Sequence, residues 1–225
     1  MWTKRGGRSG RMADGQENAA AGAGELLGRI GRHRAVEIPG RRLLPRAAVA
    51  LVMKGEGPDL LFIRRAEREG DPWSGDMAFP GGRLEPGDAS PLAAALRELW
   101  EETGMEPQSV APAGRLSDVP TRTHAGFSPM IVTPYVLRLT AEPAWRENRE
   151  VRERLWVPFP FLLDPGNRSV MIWRFLGRDW AVPCYDYQGR RIWGLSLIVI
   201  DELLALARGG RPGRGAWFLR LLHKE

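Results

Sequence analysis

The stretch from Gly81 to Gly104 constrains this chain more than any other part of it. Two adjacent glycines, Gly81 and Gly82, open the stretch, and a tight Glu85-Pro86-Gly87-Asp88 loop follows. From Pro91 to Thr103 there is then no glycine and no further proline. Ser90 stands where a helix N-cap belongs, with a side-chain oxygen able to accept a first-turn N–H. Pro91 suits the first helical position because no backbone donor is needed there. Gly104 is placed to end the helix in a left-handed residue. The pattern predicts a helix over Pro91–Thr103, fed by a glycine-opened loop.

A helix advances about 100° per residue. Leu92, Leu96, Leu99 and Thr103 therefore fall within roughly 60° of one another and form the expected buried stripe. Glu98, Glu101 and Glu102, spaced i, i+3 and i+4, cluster on a different side. Carboxylates this close repel one another unless a cation sits among them. Hard divalent cations take oxygen ligands, and Mg²⁺ combines a few carboxylates with substrate phosphates and water. Arg97, one turn before Glu101, is positioned to orient it by a salt bridge. Taken alone, the glutamate spacing also describes a solvated acidic face. The glycines favour a site, because backbone without Cβ approaches a ligand closely, and a loop–helix unit of this kind suits a metal bridging a phosphorylated substrate.

The rest of the chain reads as one α/β domain. Its 225 residues and 43% hydrophobic content support a sizeable core. Ala47–Met53 and Leu60–Arg64 read as strands, as do Met130–Leu139, Met171–Phe175 and Trp180–Tyr185. Glu150–Val157 leads through Pro158 into a short apolar turn, Phe159–Leu163. Helices are expected at Glu25–His33, Leu195–Arg208 and Ala216–His223. Residues 1–21, rich in glycine and alanine, are expected to form a disordered basic tail ahead of a domain spanning 22–225. No apolar run is long enough to span a membrane. The single cysteine, Cys184, cannot close an intramolecular disulfide and points to a cytoplasmic, reducing setting, with a buried thiol as its plain role. The net charge of +6 is a weak sign of nucleic-acid binding, because Lys4, Arg5, Arg8 and Arg11 precede Met12 and without them it falls to +2.

Residues Gly82 to Met105 resemble the Nudix box, G-x5-E-x7-R-E-U-x-E-E-x-G-U with U apolar. Arg97-Glu98-Leu99-Trp100-Glu101-Glu102-Thr103-Gly104-Met105 agrees with its core throughout. Asp88 replaces the first glutamate, and the second spacer is one residue longer, departures shared with the coenzyme A diphosphatase branch of the family. Further landmarks are similar to that branch over about residues 45–205: Leu60 to Arg65, Gly75 to Gly82, Gly126-Phe127, Thr133-Pro134, Glu150-Val151, Trp156-Val157-Pro158, and Ile192 to Leu195. Phe62 and Arg65 replace the branch's threonine and serine. The segment between Arg65 and Gly75 is two residues longer than its pattern, with Arg68, Glu69 and Asp71 out of register with the expected arginine and histidine.

The resemblance implies a Nudix fold, a mixed β-sheet sandwiched between α-helices, and Mg²⁺- or Mn²⁺-dependent hydrolysis of a pyrophosphate bond. It implies Glu98, Glu101 and Glu102 as metal ligands, with the Gly82 carbonyl as a fourth. Glu101 would orient or deprotonate water, Arg97 would hold that carboxylate, and Asp88 would brace the loop or reach the metal through water. Glu150 is the candidate for a separate general base, with a surface acid as the competing reading. Arg64, Gly81 and Gly82 are the candidate substrate contacts, although Arg64 equally suits a structural salt bridge. His124 lies where a ligand could pass, or is an ordinary exposed histidine. Trp73 and Trp193 either stack on a base or pack the core. The leading substrate is coenzyme A or an acyl derivative. NADH, ADP-ribose or a dinucleoside polyphosphate is the alternative, and a non-catalytic nucleic-acid-binding protein the remote one. The expected partner is thus a small-molecule nucleotide, with no membrane partner and with homodimerisation left open.

Overall fold

In a computed structural model, the protein is described over residues 13–67, 75–122, 129–175 and 177–210. The chain begins with α1 (Ala13–Arg32) and then builds β1 (Arg46–Lys54) and β2 (Asp59–Arg65). Two short strands follow, β3 (Met77–Ala78) and β4 (Gly81–Arg83), then α2 (Pro91–Thr103). The middle of the chain supplies β5 (Val110–Arg115), β6 (Val119–Arg122), β7 (Pro129–Leu139) and β8 (Val151–Pro158). After a single-turn α3 (Phe159–Leu163) come β9 (Arg168–Phe175), β10 (Arg178–Tyr187), β11 (Arg190–Ile192) and the closing α4 (Gly194–Ala207).

The sheet is mixed and its centre is β1. This strand runs parallel to β7 in register from Arg46↔Ile131 to Met53↔Arg138. Its other edge is shared: β4 pairs with the first half, and β2 takes over at Met53↔Leu60. Seven consecutive residues of β1, Ala47 to Met53, are buried. Such a run marks a strand covered on both faces. Alternation then sorts its side chains. Ala47, Val49, Leu51 and Met53 join the core under α1 and α4, with Leu26, Ile30, Leu197, Ile200 and Leu203. Ala48, Ala50 and Val52 face α2, with Ala94, Ala95, Leu99 and Met105. Two cores on opposite faces of one sheet make an α/β/α sandwich. A separate antiparallel meander, β9-β10-β11, carries the late strands.

Helix α2 forms as its sequence directs. Ser90 Oγ accepts the Ala93 N–H at 3.1 Å, and Gly104 ends the helix at φ 79° while its N–H reaches the Trp100 carbonyl. The buried stripe is shifted from the expected one. Leu99 and Thr103 are buried, but Leu92 and Leu96 are only half-buried, and Ala94, Ala95 and Glu102 take their place. Small alanines let α2 approach the alanines of β1 closely, which pulls the contact line toward them.

Helix α1 begins at Ala13, inside the stretch expected to be disordered and well before Glu25. The segment is rich in alanine and free of proline, a composition that favours helix. The short apolar turn expected at Phe159–Leu163 is a single turn of helix. Four short strands, β4, β5, β6 and β11, were not expected from the sequence, because they are brief and contain glycine, proline or arginine. The expected helix at Ala216–His223 lies outside the described residues. No helix among the described residues is long and apolar enough to cross a membrane.

Candidate active site

The double glycine is held by the sheet before it meets anything catalytic. Gly81 pairs with Val49 and Gly82 with Ala48, while the Pro80 carbonyl accepts the Ala50 N–H at 2.7 Å. A Cβ on Gly81 would collide with the Ala48 carbonyl and the backbone of Val49. One on Gly82 would collide with the carboxylate of Glu98. The glycines therefore let a strand edge and a glutamate occupy adjacent space, with α2 lying directly over β4.

Arg97 organises the acids around it. Its Nε and Nη2 donate to the two Asp88 oxygens, both at 3.1 Å, and Nη2 also reaches the Arg83 carbonyl at 3.0 Å. Its Nη1 donates to Glu98 Oε1 at 2.9 Å and Glu101 Oε2 at 3.3 Å. Asp88 in turn accepts the Glu85 N–H at 2.8 Å, which closes the loop ahead of the helix. Hydrogen bonds from Arg97 and from the backbone at Glu85 hold the Asp88 carboxyl below the usual range. The shorter acid at this position is thus fully engaged on the guanidinium.

Glu102 differs from its neighbours. It is 7% exposed, and its Oε2 accepts the Gly81 N–H at 2.9 Å. Burial, offset by that hydrogen bond and by Arg65, and reinforced by Glu98 and Glu150, pushes its pKa up to about 8. Burial likewise raises the pKa of Glu98, against the pull of Arg97. The three glutamates supply hard oxygen donors, and two of them carry an ionisation cost that a divalent cation would relieve. Among the described residues no three acidic, imidazole or thiol groups form a ready-made ligand shell. Glu98 and Glu101 instead turn toward Arg97, and Glu102 toward Gly81. In donor chemistry the set fits a hard divalent ion.

Glu150 is exposed, yet it comes to the site. It is near enough to Glu102 to raise that carboxyl's pKa. Its carbonyl accepts the Ala66 N–H at 2.8 Å and its N–H donates to Asn148 Oδ1 at 2.6 Å. Asn148 Nδ2 donates to the Glu101 carbonyl at 2.6 Å. Arg64 is placed differently. Leu60 and Phe62 point into the α1/α4 core, and the strand's alternation puts Arg64 on that side. Its Nε donates to the Gly75 carbonyl at 3.1 Å, and Glu67 stands 3.8 Å away. Arg65, on the same side of β2 as Leu61, is the arginine that acts on Glu102. The alternation of β2 carried that signal in the sequence; nothing there singled out Asn148.

Trp193 is half-buried and packs against Trp173, also half-buried, with ring centroids 5.4 Å apart. Cys184 is buried beside Ser169 Oγ. His124 and Trp73 lie outside the described residues, as do Arg68, Glu69 and Asp71.

A family model described as NUDIX domain matches residues 43–183. The chain is 34% identical over 168 residues to a protein of Salmonella paratyphi B named "Uncharacterized Nudix hydrolase NudL", covering 74% of this chain and 84% of that one. The protein of the same name from Salmonella newport matches to the same extent. Among solved structures, a C. elegans Ap4A hydrolase binary complex is similar with TM-score 0.45 and 15% identity, covering 53% of this chain and 84% of the other. The NUDIX domain of Shewanella oneidensis NrtR complexed with ADP ribose gives TM-score 0.42 and 19% identity, covering 53% and 76%.

Proposed function

Because the chain belongs to the Nudix family and is a pyrophosphohydrolase of that class, we propose that its substrate is coenzyme A or an acyl derivative. The products are then adenosine 3′,5′-bisphosphate and 4′-phosphopantetheine. The observation that carries the chemistry is the Glu98 carboxylate lying against Gly82, with Glu102 accepting the Gly81 N–H next to it. The run of branch-like landmarks from Gly75 to Gly82 and at Glu150-Val151 supports the choice of substrate.

Glu98, Glu101, Glu102 and the Gly82 carbonyl are the groups that would hold Mg²⁺ or Mn²⁺. A bound ion neutralises phosphate oxygens and lowers the pKa of water. The protein's own part is positional. Asp88 fixes the guanidinium of Arg97, and Arg97 steadies the carboxylates of Glu98 and Glu101. Water adds to one phosphorus, the bridging P–O bond breaks, and the leaving phosphate keeps the electron pair. Glu150 takes the proton of that water, since a carboxylate spent on a metal is a poor base. Backbone at Gly81 and Gly82 lets the diphosphate lie close to the sheet edge. Arg65 is better placed than Arg64 to meet phosphate, and Arg64 supports the loop through Gly75.

A second reading, hydrolysis of NADH, ADP-ribose or a dinucleoside polyphosphate, is favoured by one observation: Arg65 stands where the coenzyme A branch has a serine. A product-release panel with Mg²⁺ and Mn²⁺ separates the two. Coenzyme A should turn over faster than its form lacking the 3′-phosphate. Equal rates on both, or faster cleavage of NADH, would overturn the coenzyme A assignment.

A further inference from the structure

Helix α2 has to end against something, and what it ends against also reaches the proposed base. The last carbonyls of a helix lack intrahelical partners. Here the Met105 N–H goes to Thr103 Oγ1 at 3.1 Å. The Thr103 carbonyl accepts the Arg146 N–H at 3.0 Å, and the Glu101 carbonyl accepts Asn148 Nδ2 at 2.6 Å. A residue serving only as a helix cap needs only its donor arm. Asn148 uses both, because its Oδ1 also accepts the Glu150 N–H at 2.6 Å. One planar amide therefore spans from the backbone of Glu101 to the backbone of Glu150. On its far side the Glu150 carbonyl accepts the N–H of Ala66, the residue that follows β2.

We propose that Asn148 is a positioning residue: its amide sets the distance between the Glu101 end of α2 and the Glu150 carboxylate, and acts on the reaction through Glu150. The inference rests on the reading of Glu150 as the base. An amide is the side chain for this task, since it offers a donor and an acceptor at fixed separation. Aspartate keeps the size and the acceptor but loses the donor, and presents an oxygen to the Glu101 carbonyl. Small displacements of a catalytic group are expensive, with about 1 Å costing on the order of a hundredfold in rate.

The test is a double-mutant cycle on the full chain with Mg²⁺, using Asn148→Asp, Glu150→Gln and the pair. Asn148→Asp should lower kcat at least about tenfold while KM stays within about twofold, because the substrate's own contacts are intact. Glu150→Gln should lower kcat about a hundredfold. The pair should match Glu150→Gln alone, the non-additivity expected of residues acting through one another. Multiplying effects would show that Asn148 acts elsewhere and would overturn the inference while leaving Glu150 as the base. Full activity in Glu150→Gln would instead remove the base reading, and the positioning role with it. Full activity in a folded Asn148→Asp refutes the inference directly. Asn148→Ser, a milder truncation, is taken through the same cycle if the aspartate variant does not fold.

Discussion

At the scale of single residues, the site is a contest for carboxylates. Arg97 already pairs with Asp88, Glu98 and Glu101, so an incoming cation competes with a guanidinium. Glu102 instead accepts the Gly81 N–H, and its ionised form is costly to bury. Glu101→Gln and Glu102→Gln should each lower turnover at least about a hundredfold while the protein stays folded, because the metal carries much of the catalysis. Wild-type-like activity in both purified variants would refute the ligand assignment. Gly82→Ala should push the Glu98 carboxylate from its place over β4 and weaken Mn²⁺ binding about tenfold, as displaced metal-site support does. Titration calorimetry reads that change directly, and unaltered affinity would show that Glu98 is not a ligand. The sequence announced these acids through their spacing, but not which of them would be buried. Glu102 is buried because alanines at 94 and 95 draw α2 onto β1, a contact between segments far apart in the chain.

At the scale of elements, α2 and β4 form a unit whose local signals were complete. Ser90, Pro91 and Gly104 mark both ends of the helix, and each does in the fold what its chemistry suggests. Ser90→Ala should cost about 1 kcal/mol of stability by removing the cap on the Ala93 N–H, with kcat unchanged. Leu99→Ala, at a fully buried position in the core under α2, should cost about 3 kcal/mol. Urea denaturation of the two variants checks the ranking, and a larger loss at Ser90 would contradict it. Strands were legible when long and apolar, as in β1 and β7. Those of three or four residues, such as β4 and β11, were not, because too few side chains alternate to set a period and their pairing partners are distant.

At the scale of the whole molecule, polar ties join elements that the sequence keeps apart. The Asp118 side chain is fully buried and receives Arg41, Arg115, Thr133 Oγ1 and the Ile38 N–H. Glu202 on α4 receives Ser117 and His33, which pins the residues after α1 to the core. Asp118→Asn leaves two guanidiniums facing a neutral amide and should cost about 3 kcal/mol, with kcat on folded protein unchanged. A thermal midpoint equal to wild type would show the cluster to be dispensable. By itself, the sequence determined helix α2, its caps, its acidic residues and the central strands, because caps, periodicity and i, i+4 spacing are local properties of the chain. Only the tertiary structure decided that Arg65 rather than Arg64 lies on the α2 side of β2, that Glu102 is the buried glutamate, and that Asn148 ties Glu150 to α2. Those depend on which face of a strand meets which helix, and on hydrogen bonds closed across 47 residues of chain, which no local pattern encodes.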